Sequence, residues 1–149
     1  TIRLLNNHLQ TTSVSQNRKK WERELATDNT RREAQAVQDA AETLHENFVK
    51  RAFQTDSICQ LATASPHPIL VCGDFNSLPS SYTYHRLSES LKDGFKTGGH
   101  GYMYTYRYGK RMLRIDYAFH SPELECTDYY SPNLDLCSDH NPVIFTVKY

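Results

Sequence analysis

The stretch ILVCGDFN, residues 69–76, decides the fold. Its first four residues form a short, continuous apolar run with β-branched members, and the run stops at Gly73. A run of this kind predicts a strand that is covered on both faces of a sheet. Pro66 and Pro68 precede it, and because proline cannot continue a helix, the run begins a new element. We therefore predict a buried strand with polar residues at its carboxyl end.

Those polar residues are Asp74 and Asn76, which lie two positions apart. In extended geometry they would point to the same side of the strand, and the carboxyl end of a strand is a common place for a catalytic group. The carboxylate can take a proton from water, while the amide can hold a phosphate oxygen or an attacking water. The pair thus suits phosphoryl transfer. An ordinary turn is the alternative, because Gly, Asp and Asn all favour turns.

The elements around this strand follow from hydrophobic spacing. Residues 1–9 predict a strand that ends in a polar cluster. A helix is predicted from Thr30, with Glu33 placed as in a capping box, and we expect it to bend or break near residues 54–57. Farther along, the pattern predicts a helix at 82–91, a glycine-rich loop at 94–101, and strands at 103–108, 112–120, 123–130 and 142–148.

A second polar cluster, SDHNP at residues 138–142, lies just before the last predicted strand. Asp139 and His140 are adjacent, and such a pair can belong to an acid/base or metal-linked site. A histidine can also donate to an oxygen that becomes negative as phosphorus is attacked. A solvated loop ahead of an X-Pro break is the alternative reading of this cluster.

Two further clusters also lie at strand boundaries. RIDY, residues 114–117, puts Asp116 in an otherwise apolar strand, where a charge is unfavourable unless it is paired. Its partner could be Arg114, His140 or a metal ion. NNHL, residues 6–9, places His8 at the end of the first strand, where a histidine can equally be structural or face solvent.

The order N-x-H-L, G-D-F-N, R-I-D-Y, S-D-H-N-P resembles the endonuclease/exonuclease/phosphatase family, which includes deoxyribonuclease I. The resemblance extends from Asn6 to the final strand and is strongest to bacterial members of uncertain substrate. It implies an α+β fold, a four-layer α/β/β/α sandwich. Residues 1–149 would form the C-terminal portion of one such domain, with one mixed, mostly antiparallel sheet covered by helices.

The resemblance also implies a reaction, the attack of water on phosphorus with Mg²⁺ or Mn²⁺ as cofactor, because a hard cation neutralises phosphate charge. Asp74 would be the general base or water-orienting carboxylate near the metal, and Asp139 would approach the metal or its water shell. Asn76 would position the phosphate or the nucleophile.

The remaining implied roles concern phosphate contact and support. His140 would contact the scissile phosphate and His8 would hydrogen-bond to it, with Asn6 beside it at the substrate. Asp116 would orient a catalytic histidine. The chain departs from the family pattern in one respect, because no residue before N-x-H-L matches the family's metal-binding Glu. We therefore expect an apolar sheet face that associates with an N-terminal half of the domain or with a second copy.

Residues 101–114 interleave four tyrosines with arginine and lysine, and this mixture suits contact with phosphate or a base. A two-faced strand with half-buried tyrosines is the alternative. His100 and Arg107 are the predicted additional substrate contacts in this region.

Composition narrows the function further. The formal net charge is +0, which disfavours a non-specific nucleic-acid binder, since such proteins neutralise many phosphates. The four cysteines form no C-x-x-C pair, so a zinc ribbon is disfavoured, and no apolar run reaches the roughly 20 residues of a membrane span. The sequence predicts a metal-dependent phosphoester hydrolase. A non-catalytic binding or scaffold fragment and a zinc hydrolase built on the histidines are the alternatives.

Overall fold

The computed structural model describes residues 1–13, 17, 20–23, 26, 30–108, 110–134 and 137–149. The chain divides into two compact units, one formed by residues 1–9 and 54–149, the other by residues 10–53. The elements are β1 (Arg3–His8), α1 (Thr30–Thr63), β2 (Ile69–Asp74), α2 (Tyr82–Ser88), β3 (Lys92–Asp93), α3 (Gly94–Gly98), β4 (Asp116–His120), β5 (Glu125–Tyr130) and β6 (Ile144–Lys148).

The larger sheet has the strand order β1-β2-β4-β3. β1 pairs with β2 in parallel, whereas β4 is antiparallel to both β2 and β3. This confirms the mixed sheet and the buried strand that residues 69–72 predict. The strands do not all lie in one sheet, however, because β5 and β6 pair with each other in a second, two-stranded sheet.

Each face of the larger sheet has its own apolar core. On one face, Val71 and Phe119 pack with Phe75 and with side chains of α1 and α2. The rings of Phe75 and Phe119 meet edge to face at 5.8 Å between centroids, a favourable aromatic arrangement. On the other face, Ala118 belongs to a cluster with residues of β5 and β6.

Because of this second cluster, part of the sheet face that we predicted to be exposed is covered. Ala118 lies in a buried cluster against which Phe145 and Val147 of β6 pack, so the second sheet covers this part of the larger one. Among the strands of this sheet, a large apolar side chain is exposed to solvent only on the edge strand β1, where Leu4 is 60% exposed.

Two local predictions were wrong, and of the bend or break expected near residues 54–57, the break does not occur. α1 continues through residues 54–57 without a break. Residues 94–98 form the short helix α3 rather than a loop, because Asp93 caps it by accepting a hydrogen bond from the Phe95 N–H at 3.0 Å. Residues 103–108 form no strand; within them, Tyr106 makes isolated bridges to Leu113 and to His140.

In the unit of residues 10–53, side chains of α1 hold the chain that precedes the helix. Asn47 Nδ2 donates to the Thr12 carbonyl at 3.3 Å, and Arg51 Nη1 donates to the Gln10 carbonyl at 2.8 Å. Across the described ranges, none of the helices combines the length and the apolar character that crossing a bilayer would require.

Gly73 generates a stability prediction. Its φ is +132°, and a Cβ placed there would lie 1.8 Å from the backbone oxygen of Asn7 on β1. Gly73→Ala should therefore lower the free energy of unfolding by about 1–3 kcal/mol for the backbone conformation alone, and the overlap with β1 adds to this loss. Urea unfolding monitored by circular dichroism measures it.

Gly101→Ala is the matched control. Gly101 also has a positive φ, +68°, but nothing lies within 4 Å of an added Cβ. Gly101→Ala should therefore lower the free energy of unfolding by only about 1 kcal/mol. Equal losses in the two variants would contradict the close packing of β1 on Gly73.

Candidate active site

Three polar side chains form a row across the larger sheet. The strand register places His8 of β1 beside Asp74 of β2, and Asp74 beside Asp116 of β4. The ladder thus brings together residues from three of the predicted motifs. His8 Nε2 lies 3.6 Å from Asp74 Oδ2, although the histidine side chain remains 74% exposed.

Asn76 folds back onto Asp74 instead of continuing the strand. Its φ is +47°, in the left-handed region that Asn tolerates better than most residues, so the predicted extended geometry is wrong here. Its backbone N–H donates to Asp74 Oδ1 at 2.8 Å, and its Nδ2 donates to Asp74 Oδ2 at 3.1 Å and to the Leu9 carbonyl at 3.1 Å. The turn and the site are therefore the same structure, in which Asn76 orients the carboxylate.

Asp116 has His140 as its partner. His140 Nδ1 and Asp116 Oδ2 lie 2.8 Å apart, so of the two side chains that the sequence offered as partners, the aspartate bonds to that of His140. Arg114 instead pairs with Asp93, with Nη2 2.8 Å from Oδ2. The Tyr106 ring meets the imidazole edge to face at 5.2 Å, and His140 Nε2 lies 4.0 Å from Asp74 Oδ2.

The surroundings raise the pKa values of both Asp74 and His140. Burial raises the pKa of Asp74, and the negative charge of Asp116 adds to the rise, while the hydrogen bond from the Asn76 N–H opposes it. The hydrogen bond to Asp116 raises the pKa of His140 above its ordinary value, although burial acts in the opposite direction. The cluster therefore combines a more basic carboxylate with an imidazole that favours its protonated form.

The donor set fits a hard divalent cation. One ligand atom each from Asp74, Asp116 and His140 lies within 4.8 Å of the others, and no other group of this kind occurs among the residues that the structure describes. Two carboxylates suit Mg²⁺ or Mn²⁺, and a cation would relieve the repulsion that raises the pKa of Asp74. The carboxylate oxygens of Asp74 and Asp116 are the hard ligands that such ions prefer.

The other predicted site residues lie around this cluster. Asp139 is exposed and not in the group of ligand atoms; its carbonyl accepts from the Arg107 N–H at 2.8 Å. Arg107 Nη1 donates to the Ser138 carbonyl at 3.0 Å, next to the histidine loop. His100 is exposed, and no hydrogen bond or ion pair joins it to the cluster in the described ranges.

A cavity of about 400 Å³ adjoins the Asp116–His140 pair. Asn6 and Cys72 line one side of it, and Val143 and Phe145 line another. Asn6, which the sequence marks as a substrate contact, therefore faces space that a ligand can occupy.

The sequence reasoning missed one residue that contacts this site. Thr105 is fully buried, and its hydroxyl accepts a hydrogen bond from the Asp116 N–H at 3.1 Å. The available signal was the alternation itself: Thr105 lies between Tyr104 and Tyr106, so in extended backbone its side chain points to the face opposite the tyrosines.

The fold and the site define a class: an α+β protein whose mixed sheet presents a cluster of carboxylates and an imidazole at the ends of its strands. The model of the endonuclease/exonuclease/phosphatase family matches residues 10–140. The chain belongs to this family, which confirms the resemblance in its motifs. No curated protein sequence matches it.

Solved structures show the same fold. An endonuclease/exonuclease/phosphatase from Bacteroides vulgatus is 26% identical, with a TM-score of 0.56, and the match covers 69% of this chain and 44% of that one. A functionally unknown protein from Enterococcus faecalis V583 is 18% identical (TM-score 0.61, 68% and 45% covered). A mannosyl-6-phosphatase from Bacteroides thetaiotaomicron is 22% identical (TM-score 0.50, 70% and 46% covered). The match thus spans less than half the length of each of these proteins.

The Asp116–His140 pair generates a titration prediction. In metal-free buffer the imidazole pKa of His140 should lie above its ordinary value, and Asp116→Asn should lower it, because the largest cause of the rise is the bond to that carboxylate. NMR titration of the imidazole resonances measures both values, with His140→Gln providing the assignment.

Asp139→Asn is the control, since Asp139 contributes least among the causes that raise the pKa of His140. A larger fall in this variant than in Asp116→Asn would show that the observed hydrogen bond does not govern the titration.

Proposed function

We propose that this chain supplies the catalytic carboxylate and imidazole groups of a metal-dependent phosphoester hydrolase, in which water attacks phosphorus. The observation that carries the proposal is the convergence of Asp74, Asp116 and His140, whose ligand atoms lie within 4.8 Å of one another although the three residues come from separate motifs.

Asp74 is proposed as the general base or water-orienting group. Its raised pKa makes the carboxylate a better proton acceptor than an exposed aspartate. Both of its oxygens accept hydrogen bonds from Asn76, and these bonds support a role for Asn76 in fixing the direction of the carboxylate.

His140 is proposed to contact the scissile phosphate. Its Nδ1 is bonded to Asp116, so Nε2 is the atom left to donate towards an oxygen that gains negative charge during the attack. His8 lies on the other side of Asp74 and is proposed as a second phosphate contact. Asn6, Arg107 and His100 stay proposed substrate contacts.

Mg²⁺ or Mn²⁺ is the proposed cofactor, held by the carboxylates of Asp74 and Asp116, with Asp139 near its water shell. When bound, such an ion neutralises phosphate charge and lowers the barrier to attack. Asp74 and Asp116 also gain from it, because two neighbouring carboxylates repel each other.

The proposed substrate is a phosphoester that the protein recognises through a few contacts close to the reacting phosphate. The zero net charge favours a small phosphoester, such as a sugar or inositol phosphate or a lipid headgroup, over a long nucleic acid bound through many phosphates.

A non-catalytic binding or scaffold fragment is the second candidate. The observation in its favour is that the matches span less than half the length of similar structures. In that case catalysis would require the N-terminal half of the domain or a second copy of the chain, docked on apolar surface that includes Leu4.

Hydrolysis of a chromogenic phosphodiester and phosphomonoester with Mg²⁺ tests the proposal, with this chain and the full-length protein measured in parallel. Asp74→Ala and His140→Ala should each lower kcat by about 100-fold or more, the usual contribution of acid–base groups. His67→Ala and Glu123→Ala, which alter exposed side chains outside the cluster, should leave kcat unchanged. Activity within tenfold of wild type in both site variants would count heavily against the assignment.

The metal requirement has its own test. A chelator should abolish hydrolysis, and Mg²⁺ or Mn²⁺ should restore it, because the cluster offers hard oxygen ligands. Restoration by Zn²⁺ but not by Mg²⁺ would favour a zinc hydrolase. Isothermal titration of Mg²⁺ into wild type and Asp74→Asn provides a readout that does not depend on turnover, and equal affinities would exclude Asp74 as a ligand.

A further inference from the structure

Thr105 has no exposed surface, and its hydroxyl is fully used by backbone donors. Its Oγ1 accepts hydrogen bonds from the Ile115 N–H at 3.0 Å and from the Asp116 N–H at 3.1 Å. A hydroxyl oxygen has two lone pairs, so these two bonds account for its whole accepting capacity.

On the side of β4 that faces away from β2, no strand of the described residues pairs with Ile115 or Asp116. β3 pairs only with Phe119 and His120, at the far end of β4. Buried N–H groups without a partner are unfavourable. The Thr105 hydroxyl therefore takes the place of a neighbouring strand at the point where β4 begins.

The same residue is bonded to the loop that carries the histidine. The Thr105 carbonyl accepts from the Asn141 N–H at 2.7 Å, and Asn141 directly follows His140. Two residues later, the Arg107 N–H donates to the Asp139 carbonyl at 2.8 Å. Residues 105–107 thus link the start of β4 to residues 139–141.

We propose that Thr105 is a positioning residue that sets the distance between Asp116 and His140. It bonds to the Asp116 backbone through its side chain and to the residue after His140 through its carbonyl. The 2.8 Å contact between the two site residues joins two segments that Thr105 holds in fixed relation. Its effect on turnover rests on the proposed function, whereas its effect on the Asp116–His140 contact does not.

The identity of the side chain separates this role from simple packing. Valine has nearly the same shape as threonine but no acceptor, so Thr105→Val leaves two buried N–H groups unpaired. Serine keeps the acceptor and loses a methyl group. A role in packing predicts that serine is the more harmful change, whereas a role in positioning predicts that valine is.

Thr83→Val is the matched control. Thr83 is also a buried threonine, and its hydroxyl accepts from Thr55 Oγ1 at 3.2 Å, within the helical part of the fold. Within the described ranges no hydrogen bond joins Thr83 to Asp116 or His140, so this variant reports the general effect of removing a buried threonine hydroxyl.

The first readout is the downfield proton resonance of the His140 imidazole Nδ1–H in metal-free buffer, assigned by its absence in His140→Gln. Wild type, Thr105→Ser and Thr83→Val should retain it, and Thr105→Val should lose it or shift it upfield. Thermal unfolding shows whether each variant is folded. If Thr105→Val does not fold, Thr105→Ala is compared with Thr83→Ala in the same way.

The second readout is kinetic, with the phosphoester substrate that proves active. Thr105→Val should lower kcat by about 10- to 100-fold with little change in KM, the effect of a small misplacement of reacting groups. Thr105→Ser should recover most of that loss.

The outcomes separate this inference from the proposed function. The positioning role is overturned if folded Thr105→Val retains the proton resonance or the wild-type kcat. It is also overturned if Thr105→Ser loses as much as Thr105→Val does. If neither the full-length protein nor this chain hydrolyses any phosphoester, the proposed function fails. Loss of the resonance in Thr105→Val alone would still support the structural role of Thr105.

Discussion

The hydrogen bond between Asp116 and His140 is the contact on which the site depends. Asp116 begins a strand of the larger sheet, and a charge among apolar neighbours is unfavourable without a partner. His140 supplies that partner from the loop ahead of β6, a strand of the second sheet. The bond therefore satisfies a partly buried charge and at the same time brings together two motifs that are distant in sequence.

A second constraint follows from the register of the larger sheet. Asp74 and Asp116 are directly opposite each other, and like charges in that position repel. The structure offsets the repulsion with two hydrogen bonds from Asn76 and with the neighbouring imidazoles of His8 and His140. The same arrangement suits a cation and a phosphate together, because the carboxylates can bind the cation and the surrounding donors can bind the phosphate.

Local patterns predicted strands at residues 69–72 and 142–148, because short, continuous runs rich in β-branched residues favour strands. The structure has these strands at Ile69–Asp74 and Ile144–Lys148. Of the bend or break expected near residues 54–57, the break does not occur, since Thr55 is buried there and bonded to Thr83 of α2. Motif order predicted Asp74, Asp116 and His140 as candidate site residues, which the structure brings together, but the side-chain partner of Asp116 was open between Arg114 and His140. Only tertiary contacts distinguish them, and no spacing in the sequence encodes those contacts.

The RIDY segment shows how groups outside the site determine its geometry. Arg114 forms a buried ion pair with Asp93. The Tyr84 hydroxyl also donates a hydrogen bond to Asp93 Oδ2 at 2.7 Å. The Tyr117 hydroxyl lies within hydrogen-bonding distance of the Ser77 carbonyl, just beyond Asn76. One motif therefore connects β4 to β3 through its arginine and to the turn after Asp74 through its tyrosine. The aspartate between them is placed by its neighbours, which leaves its own carboxylate available for His140.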